Sequence, residues 1–241
     1  MWSSFNRALA ACVDLLLPPA CLLCGQAFTS DQGKSPFCCS CLAGMPPLGP
    51  AHWPCCAQPY PATTSSHLCG TCLKRPPSFS TVHAASRHQG MAKEAVHHLK
   101  YRGQLTLAKP LGQLVGLTFV RGGRPFLPHC IVPVPLHPQR LRQRGYNQAL
   151  EIARPLARQM EVPLDLSLLQ RIRQTTPQQG LPAVARRRNL RRAFTLASSA
   201  AGLKILLVDD VMTTGETVRE CSRTLRAGGA AEIQVAVFGR A

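Results

Sequence analysis

Two adjacent carboxylates, Asp209 and Asp210, are followed at once by Val211, Met212, Thr213, Thr214, Gly215, Glu216 and Thr217. These residue types imply a ligand with two different demands. The threonine hydroxyls, a flexible glycine and a helix expected from Glu216 to Ala227 would aim side-chain and backbone donors at one spot, which is how a chain cradles phosphate. The neighbouring carboxylates would repel a bare phosphate but suit a cis-diol or a bridging Mg²⁺. A ribose 5-phosphate has both needs. Upstream, Ile205, Leu206, Leu207 and Val208 form an apolar run too short for a helix. They predict a strand buried on both faces, with the carboxylates at its carboxyl end, where open α/β sheets bind ligands.

A second set of chemistry-bearing residues lies between an apolar strand expected at Cys130–Val134 and a helix running through Gln159. Arg140, Arg142 and Arg144 occur at alternate positions before Gly145. On a loop leaving a strand they would converge on phosphate oxygens through charged forks. Residues 171–192 are polar, rich in Gln and Thr, and strongly basic. A long basic loop of this kind beside an anion site is a candidate lid.

The third set is cysteine. Ten of the twelve cysteines precede residue 73, several spaced Cys-x-x-Cys, which is metal-ligand spacing. Cys21, Cys24, Cys38 and Cys41 make two knuckles that close one structural Zn²⁺ site. Cys69 and Cys72 form a further knuckle, with Cys56 as third ligand and the fourth open among Cys55, His52 and His67. One or two structural zinc ions are expected. Adjacent His97 and His98 on a polar helix face are expected to be solvated rather than metal-bound.

The elements that must position these groups follow in order. A short strand is expected within Phe79–Ala85, and amphipathic helices at Met91–Tyr101 and Gln104–Val120. Further strands are expected at Ala193–Leu196 and Glu232–Phe238. Strand–helix alternation from residue 130 onward predicts a parallel sheet with right-handed crossovers. Prolines at 46, 47, 50, 76 and 77 mark the exit of the cysteine-rich module near residue 77. The first seventeen residues read as an amphipathic helix built on Phe5, Leu9, Cys12, Val13, Leu16 and Leu17. They make a poor signal peptide, and no run of eighteen apolar residues occurs in the chain. The expectation is a cytoplasmic protein without membrane insertion.

The formal net charge is +17, and it is unevenly spread. Residues 1–80 carry four Lys/Arg and two acids; residues 81–241 carry 24 and nine. An excess this large predicts salt-sensitive attraction to polyanions.

The string from Ile205 to Thr217 resembles the phosphoribosyl pyrophosphate (PRPP) motif of type I phosphoribosyltransferases. That resemblance implies that Asp209 and Asp210 hold the ribose hydroxyls and that Thr213 to Thr217 wrap the 5′-phosphate. Further motifs are the cysteine knuckles, LKYRG (Leu99–Gly103), VPVPLHPQRLRQRGYNQ (Val132–Gln148), and the spaced Arg171, Arg173, Thr175, Gln178, Leu181, Arg186 and Asn189. Together they resemble the competence protein F (ComF) family. The resemblance implies an α/β, parallel-sheet type I phosphoribosyltransferase fold over residues 78–241, with an N-terminal helix and double zinc ribbon over residues 1–77. Lys100, Arg140, Arg144 and Asn147 then stand with the substrate. Arg173 and Arg186 join Asp209 and Asp210 as the catalytic set, on the flexible loop. Trp53 departs from the family pattern, which has a ribbon cysteine there. The implied role is DNA uptake in natural competence, or DNA utilisation, with single-stranded DNA and DNA-translocation proteins as partners. The alternative is an active Mg²⁺-dependent phosphoribosyltransferase acting on a small nitrogenous acceptor.

Overall fold

The computed structural model describes residues 19–28, 35–61, 67–121, 126–175 and 188–241. The proposed N-terminal helix, and with it Gln178, Leu181 and Arg186, lie outside the described residues. The described strands are β1 (Thr81–Arg87), β2 (Cys130–Pro133), β3 (Leu169–Arg171), β4 (Phe194–Leu196), β5 (Lys204–Met212) and β6 (Glu232–Arg240). Helices are α1 (Cys39–Ala43), α2 (Gly70–Lys74), α3 (Gly90–Tyr101), α4 (Ala108–Arg121), α5 (Pro138–Arg144), α6 (Gln148–Met160) and α7 (Glu216–Ala227).

β1, β6, β5 and β2 form one parallel sheet in that order, as the strand–helix alternation predicts. β5 lies inside it, and Ile205 to Val208 are fully buried because both faces are covered. Successive strand residues point to opposite faces. Leu206 and Val208 therefore pack with Val96 and Leu99 of α3, Leu111 of α4 and Ile152 of α6. Ile205 and Leu207 pack with Val218 and Leu225 of α7. The same alternation sends Asp209 towards the α7 side and Asp210 towards the α3 side.

Four expectations need correction. The strand does not end at Val208: β5 continues to Met212, with Asp209 paired to Val237 and Met212 to Arg240. β4 does not complete the parallel sheet but pairs antiparallel with β3 in a separate two-stranded ribbon. The two arms of that ribbon bring together the ends of the stretch expected to form a lid. The arginine-rich stretch is not all loop, since residues 138–144 are helical. Its local signals were present in the sequence: Pro138 at the first turn, His137 capping Gln139 N–H, and Gly145 closing the helix at φ 81°. The helix expected from Gln104 instead opens with a 3₁₀ turn, Leu105–Leu107, before α4.

Candidate functional site at the carboxyl end of the sheet

A cavity of about 440 Å³ opens where β5 and β2 end. Its floor is the stretch from Asp209 to Val218, so Asp209, Asp210, Val211, Met212, Thr213, Thr214, Gly215, Glu216 and Thr217 all line it. Arg140 and Arg144 contribute one wall with Asn147, and Lys100 another. Thr213 and Thr214 are exposed. Gly215 has φ +77°, a left-handed conformation that favours glycine at this turn. Gly215 caps α7 without a side-chain bond, and Glu216, Thr217 and Val218 of the first turn line the cavity.

Helical geometry selects among the alternate arginines. Positions four apart share a helix face, while the position between them does not. Arg140 and Arg144 accordingly line the cavity and Arg142 is exposed to solvent. Arg144 donates to Gln148 Oε1 at 2.7 Å and lies 5.3 Å from the Tyr101 ring centroid. Asn147 braces the wall: its Nδ2 donates to Val134 O at 3.0 Å and its Oδ1 accepts from Ala149 N–H at 3.1 Å.

The two carboxylates differ. Lys100 Nζ lies 2.9 Å from Asp210 Oδ2, with side-chain exposures of 25% and 8%. Burial works against the Lys100 ammonium, yet Asp210 and then Asp209 outweigh it and hold its pKa above the ordinary value. Asp209 makes no salt bridge among the described residues; its Oδ1 accepts from Asp210 N–H at 2.9 Å. Burial, then the Asp210 charge, push the Asp209 carboxyl up to about 7.

Arg173 and Arg171 have different positions. Arg173 does not line the cavity; it donates to Asn189 O at 2.7 Å and Arg191 O at 2.6 Å, clasping the far arm of the β3–β4 ribbon. Arg171, two residues earlier, lines the cavity, and its buried Nε has no hydrogen-bond partner. His88 also lines the cavity, with a buried, unpartnered Nδ1. Burial, then the Lys100 charge, hold its pKa below the ordinary value. His97 is exposed at the cavity rim, 5.0 Å from Tyr101.

Comparison with known proteins gives the family. The phosphoribosyl transferase domain family matches residues 147–240. The DNA utilization protein YhgH of Escherichia coli strain K12 is 34% identical over 219 residues, covering 89% of this chain and 87% of its own. Competence protein F of Haemophilus influenzae is 36% identical over 179 residues, covering 72% and 78%. The chain belongs to the ComF family. The Bacillus subtilis competence protein ComFC is more distant, at 26% identity over 88% of this chain and 90% of its own. Among solved structures, glutamine PRPP amidotransferase from B. subtilis aligns over 55% of this chain and 26% of its own, with TM-score 0.38 and 20% identity.

In this ComF-family chain the cysteine module is built directly onto the cavity floor. Arg75, just after α2, donates to both Glu216 oxygens at 3.1 Å. Arg219 of α7 donates to Arg75 O at 2.8 Å and to Cys72 Sγ at 3.2 Å. Arg240, only 3% exposed at the end of β6, donates to Cys56 O at 2.8 Å, Met212 O at 3.0 Å and Thr213 O at 2.6 Å. None of these three arginines was singled out from the sequence. The one available signal was Arg240, a charge just after the apolar run Val235–Phe238.

The cysteines cluster as their spacing predicts. The sulfurs of Cys21, Cys24, Cys38 and Cys41 lie within 4.8 Å of one another. A tetrahedral zinc with Zn–S bonds of ~2.3 Å needs sulfurs ~3.8 Å apart; Cys24 and Cys38 are 3.8 Å apart. This donor set fits a closed structural zinc site. Cys56, Cys69 and Cys72 form a second cluster. All described cysteines are free of disulfides. No helix among the described residues is long and apolar enough to cross a membrane.

Proposed function

We propose that this protein binds PRPP, or a ribose phosphate like it, at the carboxyl end of β5, and does so in DNA uptake or DNA utilisation. The observation that carries this reading is the convergence of a phosphate-type turn, a free carboxylate and three guanidinium groups in one cavity. The turn Thr213–Thr217 and the N-terminus of α7 take the 5′-phosphate. Asp209 takes the ribose hydroxyls, while Asp210, held by Lys100, fixes the strand end beside it. Arg140, Arg144 and Arg171 take the pyrophosphate. Glu216 would repel the phosphate, and Arg75 draws its carboxylate aside.

Mg²⁺ binds with one or two carboxylates plus substrate phosphates rather than in a cage of its own. Asp209, with no cation beside it in an ion pair among the described residues, fits that part. When bound, Mg²⁺ would neutralise charge on the pyrophosphate.

DNA handling is supported by the names of the relatives and by a second cavity of about 730 Å³ on the other side of Glu216. Arg75, Arg188, Arg191, Arg192, Arg219 and Arg223 line it. Spaced guanidiniums of this kind suit the backbone of a single strand, with little readout of bases. DNA-translocation proteins are the fitting protein partners.

A second reading is pentosyl transfer from PRPP to a small nitrogenous acceptor. It is favoured by the three cavity arginines, more than a monophosphate requires. The arginines would hold the departing pyrophosphate, and Asp209 would stabilise the positive charge that develops at the anomeric carbon.

Titration calorimetry with PRPP and Mg²⁺, and with ribose 5-phosphate, tests the first reading. Saturable binding that Asp209→Asn weakens is the expected result; no heat from either ligand would remove it. Pyrophosphate release measured over a panel of bases then decides the second.

A further inference from the structure

The two cysteine ribbons repeat the same backbone. Ala20 bridges Ala27 in the first, and His52 bridges Pro59 in the second. Cys21 N–H donates to Gln26 O at 2.9 Å, and Trp53 N–H donates to Gln58 O at 2.9 Å. The turn closes from Gly25 N–H to Cys21 O at 2.8 Å, and from Ala57 N–H to Trp53 O at 2.9 Å. Gly25 and Ala57 both have positive φ, 74° and 53°. In the partner knuckles, Cys41 N–H donates to Cys38 Sγ and Cys72 N–H to Cys69 Sγ, each at 3.4 Å.

In this register Cys56 matches Cys24, and Trp53 occupies the backbone position from which Cys21 supplies its sulfur. The Trp53 ring packs instead on Tyr60 and His67, with centroids 4.3 and 4.2 Å away. Cys56, Cys69 and Cys72 keep ligand geometry, all buried, with Cys56 and Cys69 sulfurs 3.7 Å apart. Cys55 is buried beside them but does not belong to the set of sulfurs within 4.8 Å of one another. Arg219 donates to Cys72 Sγ at 3.2 Å. The buried Arg240 guanidinium stands on the other side of the cluster, donating to Cys56 O at 2.8 Å, so the thiolates lie between two fixed cations.

We propose that the second ribbon is an open three-thiolate site for a thiophilic divalent cation, Zn²⁺ or Cd²⁺. Cys56, Cys69 and Cys72 hold the ion between the Arg219 and Arg240 guanidinium groups, and with Trp53 in the place of Cys21 no fourth side chain completes the tetrahedron. Such a site exchanges its ion, whereas the first ribbon retains one. Loss of an outer-shell partner already costs about 10–100-fold in metal affinity, and loss of a ligand costs no less.

The test is zinc release from the full-length, zinc-saturated protein into excess 4-(2-pyridylazo)resorcinol, followed by absorbance. Two phases of equal amplitude are expected, the first faster by about tenfold or more. Trp53→Cys should merge the fast phase into the slow one. A single phase carrying both ions, or loss of the second ion in Cys55→Ser, would overturn the proposal by making Cys55 the fourth ligand. Should Trp53→Cys fail to fold, cadmium–thiolate charge-transfer absorbance of the parent gives the same decision. Intensity for seven thiolates, four and three, unchanged in Cys55→Ser, is expected; intensity for eight in the parent overturns the proposal.

Discussion

Arg75 and Glu216, 141 residues apart, meet in an ion pair in which one guanidinium nitrogen lies 3.1 Å from both carboxylate oxygens. Glu216 occupies the first turn of α7, where the helix N-terminus attracts its carboxylate as it would a phosphate. On the phosphate reading proposed above, Arg75 settles that competition in favour of an incoming ligand. The cysteine module therefore shapes the charge of the cavity without lining it.

Arg75→Gln should weaken ribose 5-phosphate binding roughly tenfold, equivalent to about 1.4 kcal/mol. Adding Glu216→Gln should restore most of the loss, since the repelling carboxylate is then gone. Calorimetry on the four members of this cycle measures the coupling. Additive effects would mean that the pair only braces the fold.

Asp210→Asn and Asp209→Asn should part company in stability. The first leaves the mostly buried Lys100 ammonium without its 2.9 Å partner and should lower the melting temperature, at a cost of up to about 3 kcal/mol. The second removes a carboxyl with no salt bridge among the described residues and should leave stability intact or raise it. Thermal melts of both variants at neutral pH decide this. Equal losses would count against the different environments of the two carboxylates.

The pH dependence follows from Asp209. Its carboxyl titrates near 3.8 when unfolded and is raised to about 7 in the fold, so the folded state binds the proton more tightly. Its stabilising contribution is therefore full below pH 3.8 and is lost as pH rises through about 7. The parent should lose melting temperature relative to Asp209→Asn across that window. Ribose-diol binding, which uses the carboxylate, should strengthen over the same range. A difference between the two melting curves that does not change with pH would refute the assignment.

Binding of single strands should fall steeply with salt, with a log–log slope of about −0.7 per phosphate neutralised. Replacing Arg188, Arg191 and Arg192 with Gln should flatten the slope by about 2 if each meets one phosphate. Affinity should drop alike for strands of different sequence, while PRPP binding in the first cavity stays unchanged. Filter binding or fluorescence anisotropy at several salt concentrations reads this directly. A parent protein indifferent to salt would remove the strand-binding reading.

Much of the cavity was legible because its signals are local. A continuous apolar run, a diacid, hydroxyls and Gly215 lie within thirteen residues, and α7 begins and ends where its sequence predicts, Glu216 to Ala227. The cysteine knuckles are equally local, since Cys-x-x-Cys spacing alone brings two sulfurs together. Helix α5 was also written locally, in Pro138 and Gly145, though the run of arginines concealed it.

What the chain could not state by itself was which side chains meet across distance. The choice of Arg171 over Arg173 depends on how the β3–β4 ribbon stands against the sheet. Asp210 acquires Lys100 because α3 packs on one face of β5, and Asp209 stays apart because strand alternation turns it to the other. Arg75, Arg219 and Arg240 reach partners 27 to 184 residues away. No periodicity or spacing encodes such contacts. They exist only once packing has brought the cysteine module, β6 and α7 to the same corner, where buried guanidinium groups must find acceptors or remain unsatisfied.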